Sequence, residues 1–195
     1  MVVMARANFA QLEFSSTRVI PPVHTDNQPS TDVASTWVAL DISKLKANCD
    51  VAYKKEDTNN KVAVVIRDHR GATIDGRAKT FNILSALQGE LVAIREACFM
   101  VSRSSWQGAT VESDCREAIL LSSSENIPPW EVAAVVLDIR ELAKARGIIF
   151  SWARRTANKA VHTVAALAKS GNLPCNWVSS PPFSLLSVLE IDSPL

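Results

Sequence analysis

The chain has 195 residues, 47% of them apolar and 21% charged, the composition of one globular domain with irregular ends. Its 21 Lys and Arg against 20 Asp and Glu leave a net charge of +1, so any site for a polyanion has to be local. No stretch approaches the ~18 consecutive apolar residues of a membrane-spanning helix, which sets aside a membrane partner.

Residues 1–36 carry Pro21-Pro22, Pro29 and a polar run without periodicity, and they read as a flexible N-terminal segment. The start lacks the pattern of a secretory signal, so an intracellular location, nuclear or cytoplasmic, is expected. Arg6 with no acid before Glu13 keeps an organelle-targeting start as an alternative. The four cysteines (Cys49, Cys98, Cys115, Cys175) form no CxxC pair and read as reduced structural thiols.

The folded unit is expected at 37–172. Leu45, Ala47, Cys49, Val51 and Tyr53 alternate with Lys46, Asn48 and Asp50, the signature of a strand. The apolar run Val62–Ile66 and the alternating segment at 72–78 complete an antiparallel meander, with a turn signal at Asp68–Gly71. The period then changes: Leu84, Leu87, Leu91, Ile94 and Cys98 predict a helix of about 18 residues. A short strand at 109–113 and a short helix at 114–122 follow. Pro129 is expected at the first position of the next helix, which Gly147 stops. Residues 148–152 predict a last strand, and Thr156 is expected to cap a final helix. Residues 173–195, broken by Pro174, Pro181-Pro182 and Pro194, read as a tail able to lay Trp177, Phe183 and Leu185-Leu186 on the body. The order βββαβααβα predicts an α/β fold with a mixed sheet, three antiparallel strands then two parallel, flanked by helices.

Three acids stand in unusual places. Asp50 lies mid-strand on the face opposite Ala47 and Cys49, where a charge facing helices needs a partner or a metal. Glu90 lies beside the apolar stripe of the first helix, ~70° from its centre at 100° per residue. Asp114 stands at the carboxyl end of the fourth strand, the edge where open α/β sheets bind ligands. Taken singly, Asp114 reads as a helix cap and Glu90 as a solvated flank. Taken together, three converging carboxylates repel unless a divalent cation neutralises them, and hard oxygens suit Mg2+ or Mn2+.

The sequence resembles the plant branch of the ribonuclease H-like domains, relatives of the ribonuclease H portion of reverse transcriptases and of type 1 ribonucleases H. The matching residues are Trp37, Lys46-Ala47-Asn48-Cys49-Asp50, Val64-Val65-Ile66-Arg67-Asp68 with Gly71, Ala86 with Glu90-Leu91-Val92-Ala93, and Val111-Glu112-Ser113-Asp114. They continue through Pro128-Pro129-Trp130-Glu131, Asp138-Ile139, Arg155-Thr156-Ala157-Asn158 and Ala165 with Leu167-Ala168-Lys169. The resemblance implies a ribonuclease H-like five-stranded sheet and Mg2+-dependent cleavage of the RNA strand of an RNA–DNA hybrid, with Mn2+ as an alternative ion. It places Asp50, Glu90 and Asp114 on three metal-binding carboxylates, and His162 on the fourth catalytic position, where the family pattern has an acid. Val51 replaces the usual Gly after the first Asp, Lys61-Val62-Ala63 replaces a glycine-rich strand start, and Trp152 stands where many relatives have His.

Between Arg140 and Lys169 seven basic residues face one acid, Glu141, a local excess fit for phosphates. Arg154 and Arg155, with Asn48, Asn158 and Lys159, are the expected nucleic-acid contacts. The expected function is a metal-dependent hydrolase on an RNA–DNA hybrid or duplex RNA, acting as a monomer without an obligate protein partner. The alternative is a catalytically impaired, transposon-derived binding module.

Overall fold

In the computed structural model, which describes residues 36–104, 106 and 108–192, the alternating segment becomes the middle of a five-stranded sheet. Strands β1 (Lys46–Ala52), β2 (Asn60–Arg67) and β3 (Thr73–Phe81) form an antiparallel meander. Strands β4 (Thr110–Ser113) and β5 (Ile149–Trp152) extend the sheet in parallel from the other side of β1, giving the order β3-β2-β1-β4-β5. The mixed sheet expected from the sequence is the one observed. The expected flexible segment 1–36 lies almost wholly outside the described residues.

A central strand is covered on both faces, and each face of β1 has its own cluster. Ala47 and Cys49, with Val62, Val64 and Ile66 of β2, pack under α1 (Ala86–Arg103), α2 (Arg116–Ser123) and α3 (Ala133–Arg146). Ala63 and Val65 on the opposite face pack against Ala160, Val161, Val164 and Ala165 of α4 (Lys159–Lys169). Each Val or Leu removed from water in these clusters contributes about 1.5–3 kcal/mol.

Some boundaries differ from the sequence reading. Pro129 does not open α3: the amides of Val132 and Ala133 bond to the carbonyls of Pro129 and Trp130, so a turn precedes the helix and buries Val132. Thr156 does not cap α4, because Arg155–Asn158 form a 3-10 turn and Asn158 is the residue before the helix. Gly147 ends α3 as expected, at φ 64° in the left-handed region that a side chain disfavours.

Residues 173–192, read as a tail, contain a further helix, α5 (Phe183–Asp192). Trp177 and Leu185 join the α4 cluster, while Phe183 and Leu186 stay exposed. The Trp177 ring lies directly over Gly76 of β3, in the space a Cβ there would fill. Among the described residues no helix is long and apolar enough to cross a membrane.

Candidate metal centre

Strands β1 and β4 pair only through Lys46–Asn48 and Thr110–Glu112. Asp50 lies two residues past the last pair, on the α4 face and only 4% exposed. Asp114 follows β4 directly, where the main chain turns toward α2; the Trp152 indole Nε1 donates to its carbonyl at 3.0 Å and fixes that turn. Glu90 arrives from α1. The helix approaches β1 closely because Gly89 has no side chain, and an ideal Cβ there would lie 3.0 Å from a Val51 methyl. Val51 therefore fills the room that Gly89 leaves, and the close approach carries Glu90 toward Asp50. Ser113 Oγ, which itself accepts from the Cys115 amide, donates to Glu90 Oε2 at 3.2 Å.

These elements bring one oxygen from each of Asp50, Glu90 and Asp114 within 4.8 Å of one another. Carboxylates this close raise one another's proton affinity. Burial, reinforced by the charges of Asp50 and Asp114, pushes Glu90 up from 4.5 to about 8. Asp114 is raised by burial and by Asp50, against the opposing pull of Arg155. Burial also raises the Cys49 thiol well above its ordinary range, with the Glu90 charge adding to it. A hard, all-oxygen donor set that pushes protons onto itself fits Mg2+ or Mn2+ rather than zinc.

His162, one turn into α4, lies beside the three carboxylates. Its Nδ1 lies 2.8 Å from Asp50 Oδ2, so the imidazole N–H donates to the carboxylate, and this bond leads the causes that raise the histidine pKa. The Arg155 guanidinium stands 4.0 Å from Asp114 Oδ2 and 3.5 Å from both ring nitrogens of His162. Its side chain is 71% exposed, which leaves a cation facing solvent at the mouth of the cluster.

The expected nucleic-acid contacts divide. Arg154, Arg155 and Lys159 are exposed, and Arg155 stands beside the cluster. Asn48 and Asn158 are not surface residues, at 0% and 1% exposure. Asn48 Oδ1 accepts from Trp37 Nε1 and Arg67 Nη2, and its Nδ2 donates to Glu112 Oε2 and Asn158 Oδ1, all at 3.0–3.1 Å. Asn158 Nδ2 donates to the Cys49 carbonyl at 3.1 Å. Both amides are engaged inside the protein and offer nothing to an external phosphate. The basic run of the C-terminal third is likewise not one stripe. Arg140 and Arg146 bond to the carbonyls of Leu121 and Ser102, and Lys169 bonds to the Ala52 carbonyl and Asp57. Helices α3 and α4 lie on opposite faces of the sheet, which separates their charges.

Ser113, Trp152, Arg67 and Asp192 were not singled out as site residues from sequence. For Arg67 the signal is a charge ending an apolar strand, and for Trp152 its place where many relatives have His; for Ser113 there is none.

Residues 48–168 match the protein family described as reverse transcriptase-like. No curated protein sequence matches the chain. Solved structures share the fold at low identity. Ribonuclease H1 of the halophilic archaeon Halobacterium salinarum NRC-1 is 15% identical with a TM-score of 0.59, over 66% of this chain and 98% of that one. The N-terminal ribonuclease H domain of a Mycobacterium tuberculosis protein is 12% identical with a TM-score of 0.59, over 66% and 95%. LC11-RNase H1, isolated from compost by a metagenomic approach, was solved in complex with an RNA/DNA hybrid; it is 12% identical with a TM-score of 0.54, over 65% and 97%.

Proposed function

The chain belongs to the reverse transcriptase-like family, and on that premise we propose that it binds RNA–DNA hybrid or duplex RNA and hydrolyses the RNA strand of a hybrid with a divalent cation. The observation that carries this reading is the convergence of the Asp50, Glu90 and Asp114 oxygens within 4.8 Å. The RNA/DNA hybrid on LC11-RNase H1, a protein of the same fold, supports the substrate class.

Asp50, Glu90 and Asp114 hold Mg2+, or Mn2+ in its place. Such an ion, when bound, supplies Lewis-acid stabilisation of charge at a phosphodiester. His162 holds one Asp50 oxygen through its Nδ1 proton and brings no negative charge of its own, so the carboxylates suit one ion better than two. Arg155 stands on the His162 side of the cluster and supplies fixed positive charge there to a bound phosphate. Arg154 and Lys159, on the same exposed turn and first helical residue, extend the phosphate surface. Recognition is through backbone shape and 2′-hydroxyls rather than base edges.

The test is incubation of the protein with an end-labelled hybrid in Mg2+, Mn2+ or EDTA. Metal-dependent cutting is expected, and Asp50→Asn is expected to abolish it while leaving hybrid retention nearly unchanged. Equal metal-dependent cutting by Asp50→Asn refutes the role of the cluster. A second reading, a catalytically impaired binding module, is favoured by His162 at the fourth position, and retention of hybrid without cutting in either metal selects it.

A further inference from the structure

Behind the three carboxylates a file of buried polar side chains runs from the C-terminal helix to the strand that carries Asp50. Asp192, at the end of α5, accepts from Arg67 Nη1 at 2.8 Å, with side-chain exposures of 3% and 0%. The Arg67 guanidinium lies 3.9 Å from the Trp37 ring centroid and passes a second donor, Nη2, to Asn48 Oδ1. Because that oxygen takes both Arg67 and Trp37, the Asn48 amide has only one orientation, with Nδ2 toward Glu112 and Asn158. Asn158 must then present Oδ1 to Asn48, which aims its Nδ2 at the Cys49 carbonyl, next to Asp50. Asn158 immediately precedes α4, and His162 follows one turn later. The polarity of one acid in α5 is thus transmitted through a guanidinium and two amides to the position of α4 on β1, where His162 meets Asp50.

Cohesion alone does not call for this arrangement. A buried ion pair is often replaced by an apolar pair of similar volume without loss of stability. Here burial works against the Arg67 charge, Asp192 offsets it, and Arg67 Nε finds no partner among the described residues. What charge and directional bonds supply, and an apolar pair does not, is a second donor to Asn48 Oδ1 and a cation against the Trp37 ring that gives the first; together these fix the Asn48 amide.

We infer that Arg67 and Asp192 are positioning residues for the metal centre: they orient the Asn48–Asn158 amide pair, which seats α4 so that His162 holds Asp50. The inference rests on the proposed metal site for its importance but not for its test.

The test uses the full chain, with Asp192→Asn and the double variant Arg67→Met/Asp192→Leu. Asp192→Asn is expected to lower the melting temperature, because it leaves a buried cation unpaired; the double variant is expected to restore it. The ring 15N resonances of His162, recorded at one pH without metal, report the Nδ1 bond to Asp50. In the folded double variant they are expected to move to the values of a solvent-exposed imidazole. Mn2+ affinity is expected to weaken at least about tenfold, the equivalent of one directional bond. A double variant that melts like the original chain and keeps the original His162 resonances overturns the inference, whether or not metal binds. Failure of the original chain to bind Mn2+ or Mg2+ refutes the metal reading separately, and the histidine resonances still decide the positioning role.

Discussion

Replacing Glu90 by Gln tests the electrostatics of the centre without relying on catalysis. In the metal-free fold the Glu90 carboxyl keeps its proton up to about pH 8, whereas in the unfolded chain it loses it near 4.5. Between those values the folded state binds more protons than the unfolded state, so stability falls as pH rises. The contribution of Glu90 is fully present below 4.5 and is lost as pH climbs through about 8. pH 7 lies 2.5 units above the unfolded value, which at ~1.4 kcal/mol per unit makes the penalty about 3.5 kcal/mol, an upper value because the side chain is partly solvated. Gln carries no titrating proton and avoids that penalty. Glu90→Gln is therefore expected to raise the metal-free melting temperature at pH 7 by up to roughly 7–14 °C for a domain of this size. The gain should shrink to nothing near pH 4. Adding Mg2+ reverses the order, since the cation stabilises the original carboxylate and finds a weakened site in the variant. Scanning calorimetry from pH 4 to pH 8, with Mg2+ or EDTA, reads all of this. A variant that melts no higher than the original chain in EDTA at pH 7 refutes the reasoning.

Two glycines provide further tests. Gly89→Ala places a Cβ 3.0–3.2 Å from methyls of Val51 and Ile83, and overpacking of about 1–3 kcal/mol outweighs the ~1 kcal/mol that Ala gains over Gly in a helix. Urea unfolding should show net destabilisation that disappears in a Val51→Ala background; the same loss in both backgrounds refutes the contact. Gly76→Ala sets a methyl into the Trp177 ring and is expected to undock the C-terminal segment, so that α5 amides exchange hydrogen freely while those of β1 stay protected. Unchanged protection across α5 excludes Gly76 as the seat of Trp177.

The three carboxylates were legible because each answers to a local rule broken in the sequence: an acid within an alternating strand, one beside an apolar stripe, one where a strand hands over to a helix. Their chain positions also carried the family resemblance. Asn48 and Asn158 carried no such sign of burial. Both are polar, and what removes them from the surface is the meeting of Trp37, Arg67, Glu112 and each other across 11 to 110 residues of chain. The C-terminal helix was missed for another reason. FSLLSVLEID is apolar almost all round, so no periodicity marks a buried face, and the side that is buried is set by the α4 cluster that Leu185 joins, which local sequence does not encode.

Alternation and helical spacing are properties of the backbone's own repeat, so the sequence by itself determined the order of strands and helices from β1 to α4, the mixed sheet and the three acids of the candidate centre. Distances, charges in contact and the face a cation presents depend on which elements stack on which side of the sheet. Only the tertiary structure decided that His162 bonds to Asp50 while Arg155 stands between His162 and Asp114, and that the basic run of α3 and α4 splits between opposite faces. It also decided that a helix near the far end of the chain places its Asp192 behind the candidate metal centre. Such contacts join residues more than a hundred positions apart, and burial of a charge is a property of its whole surroundings rather than of its neighbours in sequence.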